Sequence, residues 1–134
     1  MSAGYSGTPL PKKLGIKEGH RVLLSSAPEG FERVLGALPL GAMLHTSGGS
    51  FHVILWFVTE RATVSTGLAA HAACLDKAGG LWLCWPKKAS GVQTDVTEDG
   101  LRELILPSGL VDNKVCAVDD TWSGLRFVLR KALR

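Results

Sequence analysis

Residues 79–89 read Gly-Gly-Leu-Trp-Leu-Cys-Trp-Pro-Lys-Lys-Ala. An unbroken apolar run, Leu81–Trp85, lies between two glycines and an abrupt Pro86-Lys87-Lys88 stop. Such a run, short and bounded by turn residues, reads as a strand buried on both faces. Phe51–Val58 (FHVILWFV) has the same character and is rich in strand formers. Between the two runs Val64, Leu68, Ala72 and Leu75 recur at helical spacing. The spacing predicts a helix from a Thr59 cap, with Glu60 in its first turn, to about Lys77, where Gly79-Gly80 ends it. Gly67 inside that helix weakens it by about 1 kcal/mol relative to alanine. Strand, helix and strand in this order make a parallel pair with a crossover.

Working outward, Arg21–Ser26 (RVLLSS) reads as a short strand. Pro28 suits the first turn of a helix whose positive end faces Glu29 and Glu32, whose apolar side is Phe31, Val34, Leu35 and Leu38, and which Pro39 and Gly41 stop. Ala42–Thr46 reads as a weak edge strand and Ser47–Ser50 as a Gly/Ser turn. Asp95 with Glu98 reads as a helix cap and its capping-box partner, ahead of Leu101, Leu104 and Ile105; Pro107 and Gly109 end that helix. Val111–Val118 and Leu125–Leu129 flank a turn at Asp119–Gly124, a closing hairpin. Residues 1–20 are punctuated by glycine and proline and read as an irregular segment packed on the rest through Leu10, Leu14 and Ile16. The fold expected is one three-layer α/β domain over 1–134, with a mostly parallel sheet of about six strands and an antiparallel C-terminal strand.

Composition agrees with a globular domain: 134 residues, 46% hydrophobic and 20% charged, with a net charge of +3. That charge is too small for a strong nucleic-acid signal. The N-terminus has no apolar segment of the secretory kind, and no apolar run approaches the roughly 20 residues of a membrane span. Cys74, Cys84 and Cys116 form no CxxC pair and sit among apolar residues, which points to buried free thiols and a reducing cytoplasm. His20, His45, His52 and His71 have no ligand spacing, so no metal site is expected.

Right-handed crossovers bring the carboxyl ends of parallel strands to one edge, and a hairpin whose first strand is parallel turns there too. Ligands of α/β sheets bind beyond that edge. The candidate ligand-binding residues are therefore Lys87, Lys88, Asp119, Asp120, Trp122, Thr59 and Arg61, with Ser25, Ser26, Glu60 and Thr121 beside them. Two lysines at a strand end suit a phosphate or carboxylate, or neutralise Asp119 or Asp120. The aspartates suit acid–base work or simple turn chemistry. Trp122 packs on the N-terminal segment Gly4–Pro11 or stacks on a ligand. Ser25-Ser26 and Ser90 lack the strand-turn-helix glycines of a nucleophile elbow, and no glycine-rich phosphate fingerprint is present.

Three segments, GYSGTPLPKKLGIKEGHRV, GGLWLCWPKKASG and DNKVCAVDDTWSGLRFVLRK, resemble an uncharacterised family of small actinobacterial proteins, catalogued as a domain of unknown function. That resemblance implies a small cytoplasmic bacterial protein and no particular activity. The approach to the first strand, LGIKEGHRVLL, and the closing hairpin are similar to the fold of S-adenosylmethionine (AdoMet)-dependent methyltransferases. In that family the first strand is followed by an acidic residue and a glycine-rich turn, and the second ends in an acidic residue for the ribose. Here those places read Ser25-Ser26-Ala27-Pro28-Glu29-Gly30 and His45-Thr46.

No catalytic residues are assigned and no cofactor is expected from these departures. The function they suggest is a non-catalytic binding or regulatory module, whose carboxyl edge takes an anionic small molecule or a protein partner. The alternative is a divergent methyltransferase-like transferase with an unconventional cofactor mode.

Overall fold

The computed structural model describes residues 7–134. In chain order it holds α1 (Leu10–Lys13), β1 (Arg21–Ser25), α2 (Phe31–Leu35), β2 (Met43–His45), β3 (Phe51–Phe57), α3 (Arg61–Ala73), β4 (Leu75–Pro86), α4 (Glu98–Ile105), β5 (Leu110–Ala117) and β6 (Trp122–Leu129), with short 3₁₀ turns between and after them. The sheet order is β2-β1-β3-β4-β6-β5. β1 runs parallel to β2 and β3, and β3 to β4, while β6 is antiparallel to both β4 and β5. This is the six-stranded, mostly parallel α/β sheet expected, closed by one antiparallel strand.

The two unbroken apolar runs became adjacent central strands because their side chains need cover on both faces. On one face Ile54, Trp56, Leu81, Leu83 and Trp85 pack against Val64 of α3 and Leu101 and Ile105 of α4. On the other Val22, Leu24, Leu55, Phe57, Trp82 and Cys84 lie under Leu14, Ile16, Phe31 and Leu35. The indole N–H of Trp82 donates to the carbonyl of Leu14 at 3.0 Å, so the buried ring keeps its hydrogen bond and holds the N-terminal segment to this face. At the far side Arg102 of α4 donates to Asp112 of β5 at 3.0 Å.

Several local boundaries differ from the sequence expectation. α2 ends at Gly36 (φ 80°) rather than at Pro39, and Val34 faces solvent. α3 stops at Ala73, and β4 begins at Leu75 rather than Leu81. Leu75 pairs with Phe51 and Gly80 with Val53, so a bulge absorbs the extra residues between them. A Cβ on Gly79 would lie 2.6 Å from the His52 carbonyl, which is why glycine is required inside a strand there. Asp95 does not cap α4. Thr97 does, its Oγ1 accepting from the Gly100 N–H at 3.0 Å. The Asp95 carboxylate instead accepts from the Arg61 N–H at 2.8 Å and caps α3, the role expected of Thr59.

Among the described residues no helix is long and apolar enough to cross a membrane, and no group of three or more His, Cys, Asp or Glu could hold a metal ion.

Leu83 is fully buried in β4. Leu83→Ala should cost about 2–5 kcal/mol through the cavity it leaves, measured by denaturant melts. At the opposite edge from the hairpin turn, the rings of His20 and His52 stack with centroids 4.5 Å apart. Burial, then the facing His52, then Lys17 lower the His20 pKa, with Asp76 opposing. The unfolded chain thus takes up this proton more readily, so the stabilisation is complete above about pH 6.5 and is lost as pH falls through the lowered value. Melts from pH 7.5 down to 5 should show the decline, and His20→Asn, which cannot titrate, should flatten it.

Candidate functional site at the carboxyl edge of the sheet

Leaving β1 the chain turns to α2 on one face of the sheet, and leaving β3 it turns to α3 on the other. The gap between β1 and β3 is therefore the topological switch point, where open α/β sheets hold ligands. The turn after β1 carries Ser26 at φ 57°, the single non-glycine residue at positive φ among those described. Gly30, at φ 78°, closes the turn ahead of α2. A groove of about 600 Å³ opens over it, lined by Ser25 to Gly30, Glu32 and Thr46. A neighbouring groove of about 480 Å³ runs past Leu24, Glu32 and the end of β2 from Leu44 to Ser47. Nε2 of His45, in that wall, is buried without a hydrogen-bond partner.

A third groove, of about 360 Å³, lies on the α3 face between Ser47–Gly49 and Ala70, His71 and Cys74, over Leu23, Ser25 and Phe51. It exists because the chain passes from β2 to β3 through five residues, Thr46–Ser50, with no helix. Ser25 Oγ and His71 Nε2 meet there at 2.8 Å, and His71 Nδ1 lies 2.8 Å from the Gly67 carbonyl. Trp56 stacks on the His71 ring, with centroids 3.7 Å apart and planes 11° from parallel. Gly67 makes the stack possible, since a Cβ on it would lie 2.8 Å from the Trp56 ring. The glycine that weakens α3 as a helix thus seats it on the sheet.

The residues expected at this edge divide into two groups, of which the first gathers on it. Trp122 pairs across strands with Pro86, and the Lys87 N–H donates to the Thr121 carbonyl at 2.8 Å. Lys87, Lys88, Asp119, Asp120 and Trp122 thereby share the β4 and hairpin end. One oxygen of Asp119 accepts from the N–H groups of Thr121 and Trp122, at 2.9 and 2.8 Å, so this carboxylate shapes the turn. Trp122 packs edge-on to Phe57 at 5.1 Å, and Phe57 edge-on to Phe31 at 4.9 Å. Its expected cover, Gly4–Pro11, lies partly outside the described residues; Leu14 is buried on the sheet face, not over the edge.

The second group turns away. The Arg61 guanidinium lies over Gly100 and pairs with Glu103 at 3.6 Å, and the Thr59 carbonyl accepts from Thr94 Oγ1 at 2.6 Å. Both residues serve the α3–α4 junction. Burial pushes the Cys84 thiol well up, and the Cys74 and Cys116 thiols up, so none is an activated nucleophile.

No protein-family model matches the sequence, and no curated protein matches it. The resemblance to an actinobacterial family therefore gains no support. Solved structures do match. A SAM-dependent methyltransferase from Aquifex aeolicus is similar at TM-score 0.65 and 13% identity, over 90% of this chain and 88% of that one. DhpI in complex with SAH is similar at TM-score 0.61 and 8% identity, over 91% and 81%. Aeropyrum pernix fibrillarin with natively bound S-adenosyl-L-methionine is similar at TM-score 0.55 and 13% identity, over 93% and 70%. Of longer structures of this kind, such as TrmN from Thermus thermophilus, the chain spans about half, 47%.

The fold is thus that of the methyltransferase-like Rossmann domains. These likenesses run against the expectation of a non-catalytic binding or regulatory module.

Asp119→Ala should cost about 1–2 kcal/mol by leaving two N–H groups without their acceptor. The double change Lys87→Ala with Lys88→Ala should stay within about 0.5 kcal/mol, as Lys88 is exposed, Lys87 only half-buried, and such surface charges contribute little. Urea melts of both proteins check the contrast.

Proposed function

We propose that the protein is a divergent methyltransferase-like transferase that holds AdoMet at the carboxyl ends of β1 and β2. The observation that carries this reading is the open groove of about 600 Å³ at the switch point of a methyltransferase-like sheet. Its size falls in the range of about 300–1,000 Å³ usual for small-molecule sites. The cofactor enters although the sequence alone led to none. The turn after β1 lacks the family's glycines, yet Ser26 and Gly30 adopt the left-handed backbone that glycine usually supplies.

Glu29 and Glu32, on the groove wall, are the acceptors for ribose hydroxyls or an ammonium group. His45 adds a ring nitrogen without a partner at the end of β2. The mode is unconventional in that these groups replace an acid at the strand end. AdoMet, when bound, supplies an activated methyl group. Lys87 and Lys88 then face the acceptor side, and an anionic small molecule is the substrate class they suit. The free cysteines fit a reducing compartment, and the cytoplasm is the place we assign.

Calorimetric titration with AdoMet and with its demethylated product tests the reading. Binding at tens of micromolar or tighter is expected, and AdoMet at 100 times its Kd should stabilise the fold by about 2.7 kcal/mol. Glu32→Gln should weaken binding about tenfold or more, the cost of one hydrogen bond to a charged group. No heat and no rise in Tm at millimolar AdoMet would overturn the proposal.

A further inference from the structure

The geometry points to a second chemistry at this edge: Ser25 is a nucleophile activated by His71, and the groove beside it takes a small carboxylic ester. The Gly67 carbonyl can only accept, so His71 Nδ1, 2.8 Å away, carries the ring proton. Nε2 of the neutral ring is then bare, and it accepts from the Ser25 hydroxyl at 2.8 Å. Nucleophile, base and a third group orienting the base are the three parts of an activated serine. The ring cannot swing away, because Trp56 stacks on it at 3.7 Å.

The backbone agrees. Ser25 ends β1, and the next residue, Ser26, is held at φ 57°. A strained residue at a strand end is a mark of a functional turn. Ser25 and His71 are only partly buried, and both line the groove of about 360 Å³, whose floor is Leu23 and Phe51.

The step balances with water as the second reactant. Ser25 Oγ bonds to the carbonyl carbon and its proton passes to His71 Nε2. The ester C–O bond breaks, and the alcohol leaves with that proton. Water then adds to the acyl group, giving a proton to His71. The bond to Oγ breaks and the proton returns to Ser25, releasing the carboxylic acid. Ser47–Gly49 wall the same groove, and an oxyanion formed there would need donors of the backbone N–H kind. The orienting group is a neutral carbonyl and not a carboxylate, so the imidazolium formed in the first step gains less stabilisation. That favours esters with good leaving groups over amides.

The test uses the full chain, a fluorophosphonate probe, and p-nitrophenyl acetate and butyrate. Peptide mapping should place the phosphonyl adduct on Ser25. Ser25→Ala should abolish the adduct and lower ester hydrolysis at least about 100-fold, and His71→Gln should do so by a similar factor, with folding checked by circular dichroism. Ser25→Cys, which keeps a nucleophile of similar size, should be alkylated by iodoacetamide at position 25, by peptide mapping, faster with His71 intact than with His71→Gln. An unmodified Ser25 in the folded protein, or ester hydrolysis by Ser25→Ala at the unsubstituted rate, would sink the proposal. Neither outcome depends on whether AdoMet binds.

Discussion

Everything in the molecule follows from the burial of β4. From Leu81 to Pro86 every position is buried, so both faces of the sheet must be covered. Leu81, Leu83 and Trp85 point to α3 and α4, and Trp82 and Cys84 to the N-terminal segment and α2. The indole of Trp82 adds a polar demand to an apolar one: a buried N–H needs an acceptor, and the Leu14 carbonyl provides it. A chain segment with little secondary structure of its own is thereby made part of the fold. With both layers in place, the parallel strands present their carboxyl ends on a single edge, and the hairpin turn joins them.

Economy of cover creates the grooves. Where α3 lies over the sheet, Trp56 is closely packed against it at Gly67. Beyond α3 the covering element is only Thr46–Ser50, anchored by the Arg21 side chain donating to the Ser50 carbonyl at 3.0 Å. Five residues cannot fill the space of a helix, and the space left beside His71 and Ser25 is the third groove. The same end of the sheet holds the strained turn at Ser26 and the buried, unpartnered ring nitrogen of His45. Strain and an unsatisfied polar atom both lower stability, and both concentrate where ligands of this fold class bind.

The methyltransferase-like fold is compatible with more than one chemistry, since fold and function are separable. The two sides of Ser25 illustrate this. Its carboxyl-side neighbours, Ser26 to Gly30, border the open groove at the switch point, while its own hydroxyl turns to His71 on the α3 face. One strand end therefore serves two grooves.

The sequence by itself determined the class of the fold and the edge that matters. Apolar runs at Phe51–Val58 and Leu81–Trp85, the helical spacing between them and the Asp119–Gly124 turn are local signals, because side-chain periodicity reflects the geometry of a single element. From these the sheet, the hairpin and the gathering of Lys87, Lys88, Asp119 and Trp122 were legible. Boundaries set by partners were not. β4 starts at Leu75 because Phe51 pairs with it, and Asp95 caps α3 and not its own helix because folding brings it to the Arg61 N–H. Trp122 rests on Phe57, a neighbour made by the sheet. Ser25 and His71 are 46 residues apart. Neither carries a local motif, and the hydrogen bond between them arises only when Gly67 lets α3 close on Trp56. Only tertiary structure could decide these pairings, since contacts between residues remote in sequence depend on the packing of whole elements and leave no period or spacing behind.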